Sequence, residues 1–242
     1  MDLGLIIDVE TTGLDFQTDE IIEVGFLEFA VNDVQNLNIV SLYGAVQEPQ
    51  RKKISPEITN ITGITPEMVQ GRKIDWNFVR EAMLRSSIII AHNMEFDRSF
   101  LQKIPELSGV SLHWACSLKH IDWPKHGFKT KALNYLASDA GFINPFSHRA
   151  VFDCATTFRV ISPYLEEMIA RSYQREYKFS AVSAPFECKD KLKQRGYYWN
   201  TQERVWEKEL PESDLESERR FLQESIYLGK LAHREVCLSD LH

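Results

Sequence analysis

The sequence predicts an α/β chain followed by a small α+β module. Three observations carry that expectation. Strand-like apolar segments dominate the first stretch, and two of them are joined by a short polar link. From Trp76 to Arg171 helical and strand patterns alternate. From about Tyr173 the pattern changes to short aromatic strands with one or two helices.

Composition sets the limits. The chain has 242 residues, 43% apolar and 26% charged, as in an ordinary globular protein of one large domain, or one medium and one small. No apolar run approaches the roughly 20 residues of a membrane helix, and no basic, apolar, cleavable leader opens the chain. No membrane partner is expected. Cys116, Cys154, Cys188 and Cys237 are far apart, which disfavours a zinc site or disulfide framework. They read as reduced thiols, and a cytoplasmic location is expected. The net charge of −7 excludes a broad basic face that coats duplex nucleic acid. A local groove for a short single-stranded end stays compatible with it.

Leu3, Leu5, Ile6, Ile7 and Val9 form the first, buried strand, with Asp8 and Glu10 on one face at its end. Alone, such a pair is more often a solvated strand end. Two anions that close also repel unless neutralised, and a divalent cation with oxygen ligands is the simplest neutraliser. Residues Gly13 to Glu20 form a turn. Ile21 to Ala30 and Asn36 to Val46 are two more strands, antiparallel about Asn32-Asp33. Thr65 is an N-cap with Pro66 in the first helical position, and Gly63 permits an unusual backbone shape. Trp76 to Arg85 is a helix, and Ser87 to Ala91 a strand.

Asn93 caps a helix running to about Ile104, before Pro105. Asp97, Phe100, Leu101 and Ile104 share its apolar stripe. A buried carboxylate needs a partner: a metal or its bound water, an arginine or lysine, or a stripe edge open to water. Leu112 to Ser117 is a short strand. Lys119, Lys125, Lys129 and Lys131 alternate with Trp123 and Phe128, which suits either a single-strand contact surface or a solvated loop. Ala132 to Ala137 is helical. A long helix runs from about Ser147 to Arg171, interrupted by Pro163 near residues 159 to 162. Asp153 faces inward with Thr157, Val160, Ile161 and Tyr164. On a continuous helix His148 would sit roughly 140° from Asp153, so a shared site requires His148 on the preceding loop.

Beyond Tyr173, strands are expected at Tyr177 to Val182, Tyr197 to Trp199 and Arg204 to Lys208. Helices are expected at Glu187 to Arg195, ended by Gly196, and at Pro211 to Tyr227. Lys189, Lys191, Lys193 and Arg195 beside these aromatics suit a nucleic-acid or protein partner. The alternative places the aromatics, at least Trp199 and Trp206, in the core of a small domain.

Asp8, Glu10, Asp97, His148 and Asp153 together form a set of four carboxylates and one histidine. With the runs Asp8-Val9-Glu10-Thr11-Thr12-Gly13-Leu14, Ala91-His92-Asn93 through Phe96-Asp97, and His148-Arg149-Ala150 with Asp153, the chain resembles the DEDDh 3′–5′ exonucleases. That family includes the epsilon proofreading subunit of bacterial DNA polymerase III. Thr62-Gly63-Ile64-Thr65 is similar to the segment preceding the second motif, although the family often has histidine where Thr62 stands. The likeness spans about residues 3 to 170.

It implies a ribonuclease-H-like fold, a mixed sheet flanked by helices, for residues 1–172, with 173–242 as an accessory α+β domain. It implies two Mg²⁺ or Mn²⁺ ions. Asp8 would bridge them, Glu10 and Asp153 would complete one shell, and Asp97 would hold the second ion. His148 would be the general base. Leu14 and Ile64 would pack on the terminal base, with Thr11, Thr12, Gly13, His92, Asn93 and Phe96 as further substrate contacts. The tail from about 173 differs from the flexible polymerase-binding segment of an epsilon subunit, which favours a free-standing exonuclease. The expected reaction is 3′–5′ hydrolysis of single-stranded DNA to nucleoside 5′-monophosphates. An exoribonuclease trimming RNA ends is the alternative within the class. A non-catalytic binding module, the third possibility, would be expected to have lost metal ligands, and all five positions are intact here.

Overall fold

The computed structural model describes residues 2–33, 36–230 and 232–238. The chain divides into two compact units, Met1–Ser172 and Tyr173–His242. Among the described residues, no helix is long and apolar enough to cross a membrane.

The first unit is built on a mixed sheet. Strand β1 (Asp2–Thr11) pairs antiparallel with β2 (Ile21–Asp33), which pairs antiparallel with β3 (Asn36–Val46). Asn32 and Asp33 belong to β2, and residues 34 and 35, between the two strands, lie outside the described residues. Helix α1 (Pro56–Thr62) follows, unforeseen in the sequence, and ends on Gly63 at φ 71°. That left-handed shape is sterically cheap for glycine. The short helix α2 (Pro66–Val69) starts on Thr65, whose side chain accepts from the Met68 amide as expected. Helix α3 (Trp76–Arg85), capped by Asp75, buries Trp76, Val79 and Met83.

Strand β4 (Ile88–Ala91) lies parallel to β1 and leads into α4 (Met94–Leu101). This helix stops short of Ile104, and Asn93 makes no side-chain cap bond. Strand β5 (Trp114–Cys116) adds parallel to β4, giving the order β3-β2-β1-β4-β5. Two short helices, α5 (Ser117–His120) and α6 (Leu133–Asp139), lead to α7 (Ala150–Ile161). The predicted long helix breaks at Pro163: a 3-10 turn, Ser162–Tyr164, separates α7 from α8 (Leu165–Ser172). Proline lacks the N–H that would continue the ladder.

The alternation of β1 distributes the core over both faces. Leu5, Ile7 and Val9 pack with Val79, Met83, Phe100 and Leu101 on one side. Ile6 packs with Leu136, Val160, Ile161 and Leu165 on the other. Asp8 and Glu10 share the face of Ile6, so they point toward the layer that contains α7. Trp123 is fully buried there; its Nε1 donates to the Ser117 carbonyl, and Phe128 and Tyr164 meet its ring edge-on. The aromatics between Lys119 and Lys131 are therefore core, not a contact surface.

In the second unit, β6 (Glu176–Ala181), α9 (Lys189–Gln194), β7 (Tyr198–Asn200), β8 (Val205–Pro211), α10 (Leu215–Phe221) and β9 (Arg234–Cys237) form an antiparallel sheet, order β7-β8-β6-β9, with two helices. Strand β9 was not legible in the sequence. The predicted helix over Pro211 to Tyr227 is a 3-10 turn, α10 and a π turn in succession. Phe179, Leu192, Tyr197, Leu210 and Leu222 form the core, and Trp206 packs against it. Trp199 stacks edge-on against Trp206 but stays 46% exposed, so it is not the core residue expected.

Candidate active site

The ends of β1, α4 and α7 converge on one cavity of about 950 Å³, lined by Asp8, Glu10, Asp97, His148 and Asp153. Each acid arrives by a different local device. Asp8 and Glu10 stand two residues apart on one face of β1. Asp97 lies in the first turn of α4, is buried, and accepts the Val9 amide at 3.1 Å through Oδ1. The partner expected for this buried carboxylate is thus a backbone amide of β1. Asp153 lies in the first turn of α7; Asn144 donates to its Oδ1 at 2.6 Å and the His148 amide to its Oδ2 at 2.9 Å. His148 occupies the loop before α7, exposed, with φ 60°. Ligand atoms of Glu10, His148 and Asp153 all lie within 4.8 Å of one another. Asp8 and Asp97 are outside that tight group, and the charge of Asp97 acts on Asp8 while that of Asp153 acts on Asp97.

Burial and mutual repulsion dominate the electrostatics. Burial, then the charges of Asp97, Glu10 and Asp153, holds the Asp8 carboxyl well above the usual range. Glu10 is pushed up to about 8 by burial and by Asp153, Glu23 and Asp97. Asp97 rises to about 8, and Asp153 to about 6, with burial the leading cause in each. Hard oxygen donors in excess negative charge, with one imidazole beside them, are the donor set that suits a divalent cation.

The remaining candidates divide. Thr11, Thr12, Gly13, Leu14, His92, Asn93 and Phe96 all line the cavity. The Thr11 hydroxyl donates to the Gly13 carbonyl, and Thr12 donates to Asp19, so both hydroxyls shape the loop. His92 Nδ1 lies 2.6 Å from Ser117 Oγ, and burial lowers its pKa to about 4, keeping it neutral. Ile64 does not reach the cavity. It is fully buried in a satellite core with Ile22, Ile54 and Val69, because the chain turns inward after Gly63. Ile58 and Ile61 of α1 line the wall instead, with Ile61 47% exposed. Lys131, the last of the four lysines read as a candidate single-strand contact surface, does line it, and so do Leu133, Asn134 and Tyr135, which were missed. The one sequence signal for α1 was Ser55-Pro56 before spaced isoleucines.

The RNase_T exonuclease family matches residues 5–161. The chain belongs to that exonuclease family. Its motif set is that of the DEDDh 3′–5′ exonucleases. A PolC-type DNA polymerase III of Thermotoga petrophila is 32% identical over 179 residues, covering 68% of this chain and 12% of the polymerase. A PolC-type polymerase of Staphylococcus aureus is 28% identical, with 11% of its length covered. The chain therefore spans about an eighth of the polymerases it matches. Among solved structures, exonuclease X in complex with 5′ overhanging duplex DNA aligns with a TM-score of 0.53 at 23% identity, over 70% of this chain and 99% of that one. E. coli exonuclease I with a dT13 oligonucleotide aligns at 0.57 and 13% identity, over 74% and 48%. The nuclease domain of 3′hExo, a DEDDh family member bound to rAMP, aligns at 0.54 and 17%, over 69% and 92%. These likenesses share the ribonuclease-H-like fold.

Proposed function

We propose that residues 1–172 form a metal-dependent 3′–5′ exonuclease domain that removes nucleoside 5′-monophosphates from single-stranded DNA ends. The observation that carries this reading is the convergence of four carboxylates and His148 in a cavity large enough for a terminal nucleotide. Asp8, Glu10 and Asp153 would hold one Mg²⁺ or Mn²⁺, and Asp8 with Asp97 a second. Bound there, such ions offset charge on the phosphate oxygens during in-line displacement. His148 takes a proton from the attacking water as its oxygen bonds to phosphorus. The bond from phosphorus to the preceding 3′ oxygen breaks, and that oxygen takes a proton from solvent, leaving a shortened chain with a 3′ hydroxyl. The exposed imidazole stands on a loop at the cavity, where a water beside the phosphate is within its reach. Leu14 and Ile61 offer apolar surface to the terminal base, and the Thr11–Gly13 turn seats the 3′ end. Residues 173–242 serve as an accessory domain that binds substrate, recruits a protein partner or masks the active site.

The test is hydrolysis of 5′-labelled DNA and RNA oligomers of matched sequence with Mg²⁺ or Mn²⁺. Shortening of single-stranded DNA from the 3′ end, abolished by Asp8→Ala, is the expected result. A large preference for RNA would replace the DNA assignment with RNA trimming. Inactivity of wild type on every substrate would leave a binding module.

A further inference from the structure

Helix α7 begins without a cap of its own: Arg149 stands in the N-cap position and makes no side-chain cap bond. The first amides of a helix lack intrahelical partners. The missing acceptor comes from another strand. Glu23 lies on β2 directly opposite Glu10 of β1, and its side chain is almost fully buried. Its Oε2 accepts the Ala150 amide at 2.9 Å. Its carboxylate also takes the Arg149 fork, Nε at 3.0 Å and Nη2 at 2.8 Å to Oε1. Next door, the His148 amide is held by Asp153. Two carboxylates thus grip three consecutive residues, and the first of them is the exposed imidazole in a left-handed backbone shape that L residues rarely adopt.

We propose that Glu23 is a positioning residue for hydrolysis: by gripping Arg149 and the Ala150 amide together, it sets His148 and Asp153 against Glu10. A charge-assisted fork fixes direction as well as distance, which a lysine point charge does not. The guanidinium is directed to Glu23, which leaves Asp8, Glu10, Asp97 and Asp153 as the donors of the site. The inference rests on the exonuclease reading for its kinetic consequence, and on the geometry alone for its structural one.

The full chain carrying Glu23→Gln or Arg149→Lys tests it. Readouts are kcat and KM on a 5′-labelled single-stranded dT oligonucleotide with Mn²⁺, Mn²⁺ affinity by calorimetry, and amide hydrogen exchange over residues 146–154. In folded protein, kcat should fall about ten- to a hundred-fold for Glu23→Gln and less for Arg149→Lys, the scale of a misplaced catalytic group. KM should stay within about twofold, since substrate-wall contacts are untouched. Mn²⁺ binding should weaken and exchange at 146–154 should quicken. A folded Arg149→Lys protein with unchanged kcat and exchange overturns the proposal, as does a rise in KM with kcat intact. If wild type cleaves nothing, the exonuclease reading fails separately. Exchange and Mn²⁺ affinity then decide, and no change in either overturns the clamp.

Discussion

Gly25 faces Asp8 across the β1–β2 register, and the backbone of α7 crosses directly above it. A Cβ on Gly25 would lie 2.3 Å from the Val151 nitrogen and 2.4 Å from the Ala150 carbonyl carbon. Backbone, unlike a side-chain tip, cannot turn aside. The Cys154 thiol reaches the Gly25 carbonyl from the same helix. Glycine here lets the helix bearing Asp153 sit close to the strand pair bearing Asp8 and Glu10.

Gly25→Ala should therefore lift α7 from the sheet. The expected cost is about 1–3 kcal/mol, as for other overpacked sites. Denaturant unfolding measures that loss, and nuclease assays on the folded fraction should show reduced kcat. Wild-type stability and activity in this variant would mean that the helix does not rest on β2.

The acid cluster makes stability fall with rising pH in metal-free protein. Unfolded carboxyls lose their protons near pH 4. In the folded site Glu10 and Asp97 hold theirs to about 8, and Asp153 to about 6. Between those limits these acids bind more protons in the folded state, and together with the raised Asp8 they outweigh the opposite effect of buried, neutral His92, so rising pH favours unfolding. The penalty is complete above the folded values. Melting curves of chelator-treated protein should show Tm dropping from acid toward pH 8. Added Mg²⁺ or Mn²⁺ should raise Tm most at the alkaline end. A chelated protein whose Tm is flat or rises over this range would contradict the convergence of uncompensated acids.

His148→Ala removes the base without removing a carboxylate. The expected loss in kcat is roughly 10²- to 10⁴-fold, the usual range for general base catalysis. Mn²⁺ affinity measured by calorimetry should change little, because the Asp153 contact uses the His148 backbone amide, which alanine keeps. Collapse of metal affinity would make the imidazole a ligand instead of a base.

The isoleucine pair separates wall from core. Ile61→Ala trims an exposed residue of the cavity and should raise KM for oligonucleotides while leaving Tm near wild type. Ile64→Ala empties a fully buried position and should cost about 2–5 kcal/mol of stability. Interchanged outcomes would reinstate Ile64 as the substrate contact.

Local periodicity made much of this protein legible from sequence alone. The alternation of β1 already places Asp8 and Glu10 together and sends Leu5, Ile7 and Val9 the other way. The spacing around Asp97 and Asp153 already turns them inward, and the phase between His148 and Asp153 already puts the histidine on a loop. Such features are set by repeats of two or 3.6 residues, so neighbours in sequence determine them. Other features depend on segments that meet only in the folded chain. Trp123 became core, and Ile61 rather than Ile64 reached the cavity. The buried Asp97 found the Val9 amide, 88 residues away. Glu23 and Arg149, 126 residues apart, carry no periodic signal that links them and form a part-buried clamp only when α7 settles over Gly25. Tertiary packing decided these pairings, because a buried polar group takes whichever partner the fold brings within hydrogen-bond reach.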